Sequence, residues 1–147
     1  MTAKIVFLGI ALISGAAMAV QGTFNSVLSR FTGLLGASFV VHLTGTVLIF
    51  LLLFVLHLGQ GDLTAVTTAP WYTLLGGVLN VIIIYGVALA ISNTGVANAT
   101  TAIIVGQVLF ALIIDHLGLF GAHRIACSWP QLVGLALLAA GAKLLLR

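Results

Sequence analysis

The chain has 147 residues, of which 62% are hydrophobic and only 5% charged: five Lys or Arg, two Asp and no Glu. A soluble domain carries about a quarter charged residues, so this composition excludes a soluble enzyme, a secreted disulfide scaffold and a disordered tail. The net charge of +3 is too small and too dispersed for nucleic-acid binding, and the lone cysteine, Cys127, has no partner for an internal disulfide. What remains is an all-α polytopic membrane protein, a bundle of apolar helices in lipid.

A spanning helix needs roughly 20 mostly apolar residues, and five segments qualify. The first covers about 5–26, flanked by Lys4 and Arg30, with Ser14, Gln21 and Asn25 on one face by their spacings of seven and four. Ala17-Met18-Ala19 resembles a signal-peptidase site. The n-region holds only Lys4, however, and further spans follow, so the segment is read as a span. The second covers about 34–57 and carries Ser38, His42 and Thr46 at i, i+4 and i+8. Gly59-Gln60-Gly61-Asp62 then breaks the pattern and 64–69 is loop-like. Pro70 opens the third span, about 71–91, with Thr73 and Asn80 on one stripe around Gly76 and Gly77. Ser92-Asn93-Thr94-Gly95 reads as a tight turn. The fourth covers about 96–117, with Thr100 and Gln107 on a shared face. The fifth, about 130–146, has only Gln131 and Lys143 as polar side chains and reads as a packing or dimerisation element. Residues 1–147 thus form a single transmembrane domain with short connections.

Five spans place the termini on opposite sides, A for the N-terminus and B for the C-terminus. Trp71, Tyr72 and Trp129 then share side A, as an aromatic belt requires. The cations divide almost evenly, with Lys4 and Arg124 on side A and Arg30, Lys143 and Arg147 on side B. The positive-inside rule therefore chooses no orientation. Either so few charges give a weak topology signal, or the chain inserts both ways up. In the latter case it pairs as an antiparallel homodimer or with an oppositely oriented paralogue, each chain being one half of an inverted-repeat transporter.

Polar groups in hydrocarbon face the bundle interior or a cavity. Gln21, Asn25, His42, Asn80 and Gln107 are the candidates for a solute site near the midplane, the alternative for each being a hydrogen bond that simply joins two helices. Asp115 is the sole acid within a span. It lies about 12 Å beyond Gln107 toward side A, offset by about 80° around the helix. With His116 it is the candidate for ion or proton coupling; the alternative is an acid capped by backbone or paired with His116 or Arg124. His57, Asp62, Asp115, His116, His123 and Cys127 have no recognised zinc spacing, so no metal is expected. No cofactor motif, paired carboxylates or activated nucleophile point to an enzyme.

Several segments together resemble one family: Gln21-Gly22-Thr23-Phe24-Asn25, Gly45-Thr46, Pro70-Trp71 with Gly76-Gly77, and above all Gly106-Gln107 through Asp115-His116-Leu117-Gly118-Leu119-Phe120-Gly121. This is similar to the YdcZ-type five-helix proteins of the drug/metabolite transporter superfamily, over essentially the whole chain. The resemblance implies a multi-pass protein of the bacterial inner membrane that exports small organic metabolites or drugs, with lipid, a small-molecule substrate and an oppositely oriented subunit as partners. It maps the family's recurring polar positions to Gln21, Asn25, Gln107, Asp115 and His116. His42 and Asn80 depart from the family pattern, as substrate-tuning residues or as a compensating polar pair. No acid stands in the first span, where related small multidrug exporters keep theirs, which argues against the same proton antiport. The expected function is a secondary transporter working by alternating access in an antiparallel dimer. The rivals are a passive dual-topology channel and a non-transporting partner subunit.

Overall fold

The computed structural model describes residues 2–59 and 61–146. Gln60 of the predicted polar break and Arg147 of the charge count lie outside the described residues. The chain is all-α, with five helices and no strand among the described residues. It divides into two compact units, Met1–Ser92 and Asn93–Arg147.

In the first unit a continuous helical run, Thr2–Phe50, is broken at one residue, Gly33, into α1 (2–32) and α2 (34–50). Gly33 has φ 72° and ψ 164°, a region essentially reserved for glycine. The first helix therefore continues six residues past its predicted end at Ser26, because nothing in Val27–Thr32 breaks a helix and the first φ-reversing glycine comes at 33. The predicted start of the second span at 34 coincides with the break. Beyond Phe50 the helix widens into a π turn, Leu51–Val55. The N–H groups of Leu56 and Leu58 bond the carbonyls of Leu51 and Leu52 (2.9 and 3.0 Å), which satisfies acceptors that a helix end without a polar cap leaves open.

The connection contains two short 3₁₀ turns, Leu63–Thr68 and Trp71–Leu74. Asp62 caps the first: its Oδ1 accepts from the Thr64 hydroxyl (2.7 Å) and the Thr64 N–H (2.9 Å). The hydroxyl bond chiefly, and then the backbone bond, hold its carboxyl below the usual carboxylate range. Because the folded value is the lowered one, the cap's contribution is present above the ordinary carboxylate pKa and is lost as pH falls through the lowered value. Thr64→Val is expected to move the Asp62 titration back up toward the ordinary range, read by carboxyl carbon chemical shifts; an unmoved titration would show that the hydroxyl does not set it.

Helix α3 spans Leu75–Thr94, so Ser92, Asn93 and Thr94 are helical, not the predicted tight turn. The interruption is again one glycine, Gly95, with φ 82° and ψ 163°. The two breaks share a local sequence, Thr32-Gly33-Leu34-Leu35-Gly36-Ala37-Ser38 and Thr94-Gly95-Val96-Ala97-Asn98-Ala99-Thr100. In each the alanine four residues after the break is buried, Ala37 and Ala99 alike. A turn read only as a polar punctuation mark hides this repeat.

The second unit holds α4, Val96–Leu117, and α5, Trp129–Leu145, packed against each other. Gly118 ends α4 in the left-handed region, its N–H on the Ile114 carbonyl. Ser128 and Gln131 form a capping box at the start of α5, and Pro130 occupies its first turn, close to the predicted start of the span at 130. At 17 residues α5 reaches about 25 Å, the short end of a spanning helix. Large apolar side chains on all five helices are exposed, among them Phe7, Phe31, Leu43, Ile82, Phe110 and Leu137, whereas Ile84 and Ile91 on α3 are buried. That is the arrangement lipid stabilises and water does not.

Candidate solute-binding groove

Within the first unit, α1, α2 and α3 border an open groove of about 400 Å³. Its polar lining comes from Gln21 on α1, His42 and Thr46 on α2, and Asn80 on α3; Val41, Gly45, Ile49 and Ile84 supply the apolar wall. Three of the five predicted site residues, Gln21, His42 and Asn80, therefore meet in one place.

The hydrogen bonds fix the state of the imidazole. His42 Nδ1 lies 2.7 Å from the Ser38 carbonyl, one turn back, and a carbonyl only accepts, so Nδ1 carries the proton. Nε2 is then left with its lone pair, and the Asn80 side-chain amide donates to it across 3.0 Å. His42 and Asn80 are thus a polar pair joining α2 to α3. Ser38 itself is buried and its hydroxyl has no hydrogen-bond partner among the described residues.

Asn25 shares the predicted stripe with Gln21 but lies outside the groove lining, 5% exposed within the unit, whereas Gln21 is exposed. Beside it the sequence reading missed a contact. Ser92 donates to the Ala88 carbonyl (2.7 Å), so the Ser26 hydroxyl donates to Ser92 Oγ (2.9 Å), tying α1 to α3. Close approach at that level depends on Gly22, where an added Cβ would stand 2.8 Å from Ile91 Cδ1 and 3.0 Å from Val87 Cγ1. The signal was Gly22 and Ser26 at four-residue spacing; assigning Ser92 to a turn concealed its partner.

Gln107, Asp115 and His116 belong to the second unit. Gln107 is exposed on α4 and Asp115 is half-buried. The loop after α4 folds back on the helix end. The Ile125 N–H donates to the Asp115 carbonyl (2.8 Å), Arg124 Nε to the His116 carbonyl (3.1 Å), and the Cys127 N–H to His116 Nδ1 (3.1 Å). His116 therefore holds the loop through an unprotonated Nδ1. Neither His116 nor Arg124 pairs with the Asp115 carboxylate, which has no hydrogen-bond or ion-pair partner among the described residues. No three His, Cys, Asp or Glu side chains gather as a metal site among the described residues. A second depression of about 530 Å³, between the start of α4 and Leu144 and Leu145, offers no titratable group.

A family model described as "Putative inner membrane exporter, YdcZ" matches residues 6–144. No curated protein and no solved structure matches the chain. The match runs from the first turns of α1 to the last turn of α5, so the chain belongs to the YdcZ family, multi-pass inner-membrane proteins with an exporter role.

Proposed function

We propose that the protein is a secondary transporter of small organic solutes, working by alternating access as an antiparallel dimer of two identical or closely related chains. The observation that carries this reading is the groove itself. Four polar side chains from three helices line an opening of about 400 Å³ in a protein whose outer faces are apolar, and that volume suits a small ligand. Such groups are costly in hydrocarbon unless they serve each other or a passing solute. Gln21, His42 and Asn80 bind the solute directly. Asn25 contributes from the neighbouring turn of α1; within the second unit Gln107 is a further polar position for solute, and Asp115, with His116 beside it, couples transport to protons.

The almost even division of Lys and Arg supports dual insertion, and inverted pairs are a recurrent way to build alternating access. Topology tests it. A single cysteine is added near the C-terminus in a Cys127→Ser background, a mild change because the Cys127 sulfur only approaches the Ser128 carbonyl at 3.8 Å. An impermeant maleimide is expected to label roughly half of the protein in intact cells and the rest after permeabilisation, as dual insertion requires. Labelling from one side only would overturn the homodimer and point to an oppositely oriented partner chain.

A further inference from the structure

We propose that the solute taken by the His42–Asn80 groove is a weak organic acid, bound as its carboxylate anion together with one proton on His42 Nε2. This deepens the transporter reading and rests on it. Three observations carry it.

The first is the protonation pattern: Nδ1 is committed to the Ser38 carbonyl, so the atom free to take a proton is Nε2, the one directed at Asn80. The second is the absence of competition. Gln21 from α1, Thr46 from α2 and Asn80 from α3 are uncharged, and His42 is the sole titratable group among the lining residues. Tyr85, half-buried further along α3, is not among them. Among the described residues no carboxylate lines the groove to attract a cationic solute.

The third is donor chemistry. Once Nε2 is protonated, the Asn80 –NH2 that faced it meets a second donor and must turn; the amide's own Oδ1 accepts from the new Nε2–H in the empty groove, but an anionic acceptor makes the stronger hydrogen bond. A solute carboxylate oxygen supplies it, with the Asn80 and Gln21 amides and the Thr46 hydroxyl as further donors. Charge balances: one proton from solution goes to Nε2, one anion enters, and the loaded groove is neutral in a region where a net charge is costly. On release both leave, and the Asn80 amide returns to the Nε2 lone pair.

The test uses the full chain in proteoliposomes with three probes of similar size: mandelate, its uncharged amide mandelamide, and benzyltrimethylammonium. Mandelate is expected to enter faster than into protein-free liposomes, and faster still with acid outside. His42→Gln should lower that rate by about ten-fold or more, the scale of one hydrogen bond to a charged group. Asn80→Asp should do the same by a different route, because it places a fixed carboxylate beside Nε2 that takes the place of the solute. Size-exclusion and circular-dichroism profiles matching the parent protein confirm that both variants fold. A variant that does not fold leaves the other, and the proton stoichiometry of mandelate binding by the parent protein, to decide. Mandelate entry unchanged in His42→Gln, or indifferent to the pH gradient, overturns the assignment and leaves the transporter reading standing. Transport of the amide or the ammonium ion without mandelate does likewise. Flux of none of the three overturns the inference together with the groove as the solute path.

Discussion

Gly33→Ala and Gly95→Ala are each expected to destabilise the protein by about 1–3 kcal/mol, the range for a non-glycine residue held in this backbone region. Neither site is crowded: an added Cβ meets nothing within 4 Å at Gly33 or at Gly95. The whole effect must therefore come from φ values of +72° and +82°, which a Cβ resists. Gly15→Ala is the matching control. It also has open space around an added Cβ, but lies within α1 and shows no positive φ. There alanine should be neutral or should stabilise by about 0.5–1 kcal/mol through its better helix propensity. Thermal unfolding in detergent separates the three. Equal, small shifts for all of them would mean that the single-residue breaks do not carry the strain their dihedrals imply.

A second large effect is expected at Asp115. Asp115→Asn should remove the protons coupled to uptake beyond the one that His42 Nε2 takes up with a carboxylate, while leaving expression, folding and solute exchange at equal pH intact. Folding is spared because the carboxylate holds no partner that an amide would lose: the loop bonds go to the Asp115 and His116 carbonyls and to His116 Nδ1. The ionisable side chains nearest in sequence are His116, His123, Arg124 and Cys127 in the same helix end and loop. On α5, which packs against α4, the charged side chain is Lys143. The comparison with His42→Gln is informative. Loss of Asp115 should lower the number of protons moved per solute, whereas loss of His42 should remove carboxylates as solutes. An unchanged proton-to-solute ratio in Asp115→Asn would take Asp115 out of the mechanism.

The number of helices, their membrane setting and their approximate limits were legible in the sequence, and the reason is solvent. Lipid offers no hydrogen bonds, so each crossing must be a helix of about 20 apolar residues, and such runs are visible without a partner in view. The exact ends were not. Val27–Thr32 and Ser92–Thr94 continue their helices because polar residues do not end a helix whose backbone bonds remain intact, whereas Gly33 and Gly95 do end it by reversing φ. The sequence also showed that Gln21 and Asn25 share a stripe, since 3.6-residue periodicity alone decides that.

What each part of that stripe meets was decided only by tertiary structure. Asn25 is buried within its unit while Gln21, one turn away, opens on the groove. His42 and Asn80 find each other across 38 positions, and Ser26 and Ser92 across 66. Periodicity says which residues of one helix stand together. It says nothing about which face of a second helix will arrive there, because in lipid that choice rests on close packing at small residues such as Gly22 and on a few hydrogen bonds between helices.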